Sequence, residues 1–253
     1  MTKTLAAPPV EPRVYPAGRA VLLFGVGPAS LATRRFTVEG RRVQGVRLGR
    51  LALLVSYVDV AAYSADELER KRTDRDFLRT EARVHERAVE RASVHAAVAP
   101  ARLLSAFEHP AALEAYARAQ YARWCRALPR LGDKREVVVQ IFAGPHAPPA
   151  REPYLLRVTP YVARTARNWQ PKCERRFEEH VRSLASACAA VASAARRIAL
   201  PAKRGALYSA AFLVDAPGAD ALRGALADHS AAGVALGITA YLEGPRAPFS
   251  FVA

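Results

Sequence analysis

The chain of 253 residues has only three cysteines, Cys125, Cys173 and Cys188. The number is odd and there is no CxxC spacing, so neither a disulfide framework nor a zinc site is implied. They read as buried or incidental thiols in a reducing compartment. Lysine is almost missing, with Lys3, Lys71, Lys134, Lys172 and Lys203 alone, so the net charge of +15 is an arginine charge. It is also spread thin. Residues 1–130 hold 22 basic and 13 acidic side chains (net +9) and residues 131–253 hold 16 and 10 (net +6). A nucleic-acid-binding protein gathers its charge on one face or module, and this distribution does not. No apolar run approaches the ~20 residues of a membrane span; the longest low-polarity stretch is Leu184 to Ala195. The proline-bearing opening MTKTLAAPPVEPRVYPAG has no apolar signal-peptide core, and residues 1–19 read as a flexible lead-in. The expected location is the cytoplasm.

Catalytic signatures are lacking too. There is no GxSxG elbow, no GxxxxGK[ST] phosphate loop and no GxGxxG after a strand; Gly25-Val26-Gly27-Pro28 is too short, and Pro28 removes an amide that a phosphate cradle would use. His85-Glu86 begins like an HExxH zinc helix, but Val89 stands where the second histidine belongs, so His85 reads as a packing histidine. Glu178 and Glu179 are sequence neighbours on a helix and point apart, so they are no catalytic pair. These absences imply no enzyme, no metal and no cofactor. Arg34-Arg35 and Arg41-Arg42, with Phe36, could touch phosphates, or they could be a solvated hairpin edge protected by its charges.

Of what is there, 51% is hydrophobic, enough for a substantial core. Ala20 to Val26 is an apolar run ending at Gly27-Pro28, the pattern of a buried strand. Arg42 to Leu48 and Leu51 to Val58 flank Gly49-Arg50 as a tight hairpin. The period then changes. Ser64 with Glu67, and Thr73 with Asp76, mark helix starts, the second carrying a stripe of Leu78, Ala82, His85, Val89 and Ala92 until Pro100 intervenes. His109-Pro110 opens a helix to Leu128 with Leu113, Tyr116, Ala117, Gln120, Tyr121 and Trp124 inward, closed by Pro129 and Gly132. Glu136 to Phe142 is a strand, Gly144 to Pro149 a loop and Tyr154 to Val158 a short strand. Lys172 to Leu200 reads as an Ala- and Ser-rich helix stopped by Pro201. Ala206 to Val214, Pro217 to Ser230 and Val234 to Leu242 read as strand, helix and strand. The alternation predicts an α+β protein of two domains, residues 1–131 and 132–253, the second ferredoxin-like.

The ending Glu243-Gly244-Pro245-Arg246-Ala247-Pro248-Phe249-Ser250-Phe251-Val252 resembles the GPWPPYSFV ending of the gas vesicle GvpF/GvpL family. Other blocks agree in order. Leu22 to Val26 and Leu51 to Val58 look like two of its strands, and His85-Glu86 falls at its HE pair. Val98-Ala99-Pro100-Ala101-Arg102-Leu103, with Phe107 beyond, resembles VLPLRFGTVF. Gly132 to Val139, including Glu136, is similar to GKxEWxVK, Tyr154-Leu155 to aYL and Ala211 to Val214 to a late strand. The chain departs from the pattern with Arg246 for Trp, Ala247 for Pro and Phe249 for Tyr, and the RFGT block has lost its Gly and Thr. The resemblance implies a two-domain α+β protein with a modified ferredoxin-like C-terminal domain. It also implies an accessory or minor structural role in the gas vesicle, contacting the hydrophobic shell protein GvpA and other accessory proteins.

Candidate partner-binding residues are those family-motif positions: His85, Glu86, Pro100, Arg102, Phe107, Glu136, Tyr154, Leu155, Gly244, Pro245, Pro248, Phe249 and Phe251. The Ala-rich helix is a candidate surface for GvpA. Phe249 and Phe251, two apart in an extended tail, would point to one side, either as a plug closing the core or as a hook for a partner. The rival reading is an RNA- or DNA-binding ferredoxin-like module, whose binding would fall steeply with salt.

Overall fold

The computed structural model describes residues 18–143, 171–200 and 206–252. The chain divides into two compact units, residues 1–133 with Ala247–Val252, and residues 134–246 with Ala253.

The first unit is built on five antiparallel strands in the order β2-β3-β4-β1-β5. Strand β1 (Arg19–Pro28) and β4 (Leu51–Asp59) are its centre. Their apolar residues are buried on both faces, which is why they read as unbroken hydrophobic runs rather than alternating ones. Strand β3 (Arg41–Leu48) pairs with β4 through Gly49-Arg50, as the sequence predicts. It also pairs with β2 (Arg35–Val38), for which the sequence predicts no separate strand. The turn between them, Glu39-Gly40, has both residues at positive φ, 46° and 79°, the geometry of a two-residue hairpin turn. Gly45 lets β3 close on the turn before β2: a Cβ there would lie 2.0 Å from the Leu31 carbonyl oxygen.

One face of this sheet carries α3 (Arg75–Ser93), which follows α1 (Val60–Tyr63) and α2 (Ala65–Arg70). Ser64 caps α2 by accepting from the Glu67 amide, as expected. The cap of α3 is Asp74, accepting from the amides of Asp76 and Phe77, and not Thr73. The buried stripe of α3 is Glu81, Val84, His85, Ala88, Val89, Ala92 and Ser93, so the predicted stripe is rotated: Ala82 is exposed and Leu78 half-buried. Helix α4 (Pro110–Leu131) contacts β1 and β5, and its Tyr121 hydroxyl accepts from the Arg50 amide at 3.4 Å. Pro110 opens it at a position where a missing amide costs nothing. It runs through Pro129 to Leu131, a turn beyond the predicted stop, and Gly132 at φ 51° ends it. The edge strand β5 (Ala99–Phe107) was not predicted, because Pro100 and a bulge erase its period.

The second unit is a four-stranded sheet, β7-β8-β6-β9, every neighbouring pair antiparallel. Strand β6 (Arg135–Ala143) and β8 (Ala206–Val214) are central. Helix α5 (Pro171–Ala190) ends well before Leu200, and Ala194–Arg197 forms the edge strand β7 instead. Asp215 caps α6 (Ala216–Asp228) by accepting from the Gly218 amide. A short α7 (Ser230–Ala235) takes the apolar residues that the sequence suggested as the start of the last strand; Gly237 at φ 72° then turns the chain into β9 (Ile238–Arg246). The core packs Leu184 and Cys188 of α5 and Leu222 and Leu226 of α6 against Val137, Val139, Ile141, Phe212 and Ile238. The expected Gly144–Pro149 loop, the Tyr154–Val158 strand and residues 1–17 of the lead-in lie outside the described residues.

Candidate functional site

His85 sits at the middle of α3's buried stripe and is 5% exposed. Phe24 of β1 lies against one side of its ring at 5.5 Å between centroids, and Phe249 of the tail against another at 5.7 Å. The ring hydrogen-bonds to the backbone of Ala101 in β5. Burial pushes its pKa down to about 4, against the opposing pull of that hydrogen bond and of the Glu81 charge. The imidazole is therefore neutral at ordinary pH, and its Nε2 lone pair is buried among the described residues without a hydrogen-bond donor.

One turn before it, Glu81 lies at the centre of a network that the sequence reading missed. Arg41 Nη1 and Nη2 donate to its two oxygens at 2.6 and 2.8 Å, and the Tyr63 hydroxyl donates to Oε1 at 2.8 Å. Arg41 Nη2 also donates to the Tyr63 hydroxyl at 2.6 Å, with the guanidinium 5.4 Å from that ring. Burial alone would raise the Glu81 carboxyl, but the hydrogen bonds and charge of Arg41 and the Tyr63 hydroxyl hold it below the usual carboxylate range. The Tyr63 hydroxyl is pushed up to about 12, by burial first and by its bond to Glu81 second. Arg41 is thus turned inward, which removes it from the basic hairpin edge read from Arg34-Arg35 and Arg41-Arg42. The available signal was spacing: Glu81 precedes His85 by four residues, on the same face of one helix.

The tail belongs here too. Ala247–Val252 groups with the first unit, not with the domain it follows in sequence. Ala247 is 1% exposed and joins the core of Phe24, Val84, Ala88 and Val89, with Phe249 packed against it. Arg123 of α4 donates to the Val252 carbonyl at 2.5 Å. Phe249–Phe251 is a single 3-10 turn, so the two aromatics do not share one side as an extended tail would have them. Phe249→Ala is expected to destabilise the first unit by about 1.5 kcal/mol, the low end for a half-buried aromatic. Thermal unfolding checks it; an unchanged midpoint would mean that the residue does not plug this core.

Among the other motif residues, Glu86, the next residue of α3 after His85, is exposed. Pro100 is buried opposite Gly25, Arg102 is exposed, and half-buried Phe107 pairs with Val21 and meets the Tyr116 ring at 5.2 Å. In the second unit Glu136 is fully buried, and Arg246 Nη2 and Nε donate to its Oε1 at 2.9 and 3.1 Å. Gly244 stands beside them at φ 114°, where a Cβ would meet the Glu136 carbonyl oxygen at 2.7 Å, so no other residue fits. Arg246, a departure from the Trp of the motif, thus answers a buried carboxylate. Pro245 is exposed, Pro248 buried and Phe251 half-buried. Tyr154 and Leu155 lie outside the described residues. The structure therefore brings His85, the strand after Pro100 and Phe249 together in the first unit, and Glu136, Gly244 and Arg246 in the second. Among the described residues no three or more His, Cys, Asp or Glu side chains are grouped to hold a metal ion, and no helix is long and apolar enough to cross a membrane.

The described residues thus form an α+β protein of two units, with Ala247 and Phe249 built into the core of the first. The family model for gas vesicle synthesis protein GvpL/GvpF matches residues 20–253, and the chain belongs to that family. In fold it is similar to the crystal structure of the gas vesicle protein GvpF from Anabaena sp. PCC7120, with a TM-score of 0.65 and 14% identity over 93% of this chain and 98% of that one. It is similar also to that of GvpF from Microcystis aeruginosa, with a TM-score of 0.62 and 13% identity over 92% of this chain and 99% of that one. No curated protein sequence matches it significantly. The protein is a gas vesicle protein by family.

Proposed function

We propose that the chain is a non-catalytic accessory or minor structural protein of the gas vesicle, acting in the cytoplasm on the hydrophobic shell protein GvpA and other accessory proteins. The observation that carries this reading is the family match over residues 20–253, supported by likeness in fold along nearly the whole length of two GvpF structures. The physical reason is that a wall that excludes water presents apolar surface, and its subunit before assembly exposes a patch that would aggregate unless covered. Sheet edges at β2, β5, β7 and β9 and the small exposed residues of α5, Ser183, Ser186, Ala189 and Ala190, are surfaces of the required kind. We read the second unit as ferredoxin-like, supported by the element order β6, α5, β7, β8, α6, α7, β9 and the strand order β7-β8-β6-β9.

Co-expression with GvpA tests the proposal. The two proteins are expected to co-purify, with GvpA kept in the supernatant; GvpA that pellets equally with and without the chain would overturn it.

A further inference from the structure

Helix α5 carries Glu178, Val181, Arg182 and Ala185 at steps of three, one and three, so these four share one stripe of its surface. Beside that stripe lies the β7 edge of the second sheet. Arg197 of β7 is the ladder partner of Ala210 and points with it to the α5 face; Tyr208, two residues before Ala210, points the same way. The Arg197 guanidinium accordingly lies over the Tyr208 ring, 4.4 Å from its centroid. Leu207 joins them through a bulge. Ile141 faces Tyr208 and Phe142 faces Ala206, which leaves Leu207 as the extra residue and turns its side chain onto this face too. Together they line an open cavity of about 340 Å³ that lies wholly within the second unit.

The lining is divided by chemistry. Val181, Ala185, Leu207 and the Tyr208 ring give it an apolar floor, packed against the core of the unit. Glu178, Arg182 and Arg197 are exposed around it. Among the described residues none of these three is in an ion pair, so two cations and one carboxylate leave a charge of +1 unanswered (2 − 1 = +1). Burial raises the Tyr208 hydroxyl above its ordinary pKa against the charge of Arg197, so the phenol stays neutral and does not answer it either.

We propose that this cavity binds a small amphiphilic monocarboxylate, its aliphatic body on the apolar floor and its acid group held by the guanidinium groups of Arg182 and Arg197. Three features select that class. The planar fork of a guanidinium matches the two oxygens of a carboxylate. One negative charge balances the excess, whereas a phosphate dianion beside Glu178 would overshoot it. The volume falls at the small end of the usual range for ligand pockets, about 300–1,000 Å³, which suits a chain of several carbons and not a whole lipid. Arg197 is already seated on the Tyr208 ring, so little of its freedom is lost on binding. The ligand is read from the lining alone and owes nothing to the shell protein.

Octanoate is the probe, titrated into the full chain by ligand-observed NMR beside 1-octanol, which keeps the body without the charge, and acetate, which keeps the charge without the body. Octanoate is expected to bind with a Kd of about 0.1–1 mM and each of the other two at least about tenfold more weakly. Arg182→Gln and Arg197→Gln should each weaken octanoate about fivefold, and Glu178→Gln, which removes the opposing charge, should tighten it about threefold. Arg223→Gln, at an arginine paired with Asp220 on α6, should change nothing. All three altered lining residues are exposed, so these variants should melt with the wild type. Octanoate that binds the double variant Arg182→Gln/Arg197→Gln as it binds the wild type, or 1-octanol that binds as tightly as octanoate, would overturn the carboxylate site. So would a wild-type chain that binds no octanoate up to about 10 mM. Capture of GvpA enters none of these measurements, so failure here and failure of the proposed function are read separately.

Discussion

Glu81→Ala is expected to cost the first unit about 3 kcal/mol, seen as a fall in melting temperature of roughly 6–10 °C. The substitution removes the acceptor of three hydrogen bonds and leaves the Arg41 guanidinium, whose side chain is 19% exposed, without the carboxylate that compensates its desolvation. Breaking a buried pair from one side typically costs about 3–5 kcal/mol, and the partial exposure of Arg41 puts this case at the low end. Two comparisons make the prediction specific. Arg83→Ala, which breaks an exposed pair with Glu39, should cost below about 1 kcal/mol. Arg41→Met combined with Glu81→Leu should recover most of the loss, because both charges then leave the interior together. If Glu81→Ala melts within a degree or two of wild type, the network is not part of what holds α3 to β3.

What could be read in the sequence was whatever depends on neighbours along the chain. Strands β1, β4 and β8 appear as apolar runs because they are covered on both faces, and Ser64 and Asp215 cap helices through atoms three residues away. The family motif was legible, and with it the gas vesicle association. What escaped depends on distant contacts. Arg41 is half of an Arg-Arg pair and looks like surface charge until Glu81, forty residues on, is placed beside it. Strand β2 is four residues with an arginine at its start, and β5 contains a proline and a bulge, so neither shows a period of two. Helix α5 and strand β7 share one Ala-rich composition, in which local propensity marks no boundary; what makes β7 a strand is its ladder with β8. The tail illustrates the same limit. Its aromatics leave a core plug and a partner hook both open, and the unit with which they group depends on where the chain goes after Arg246. Even the lost glycine of the RFGT block becomes intelligible only when Leu104 is found at positive φ, its strain borne by burial against the core.

The first unit should lose about 3 kcal/mol of stability between pH 6.5 and pH 4 through His85 alone. In the unfolded chain this imidazole takes up a proton near its ordinary value of 6.5, whereas in the folded protein burial between Phe24 and Phe249 delays that to about 4. Within that window the unfolded state holds more protons, so stability is complete above 6.5 and declines as pH falls, by about 1.4 kcal/mol for each unit of separation. Glu81 contributes in the same direction but lower, its lowered carboxyl giving up its share only as pH falls below the ordinary glutamate range. The two are therefore separable. His85→Gln keeps an N–H donor for the Ala101 backbone and has no proton to gain, so it should flatten the profile from pH 6.5 to about 4.5 and leave the acid limb in place. Urea unfolding at half-unit steps of pH measures this directly. A wild-type profile that is flat through that window would show that the ring is open to solvent, and with it that Phe249 does not seal the core.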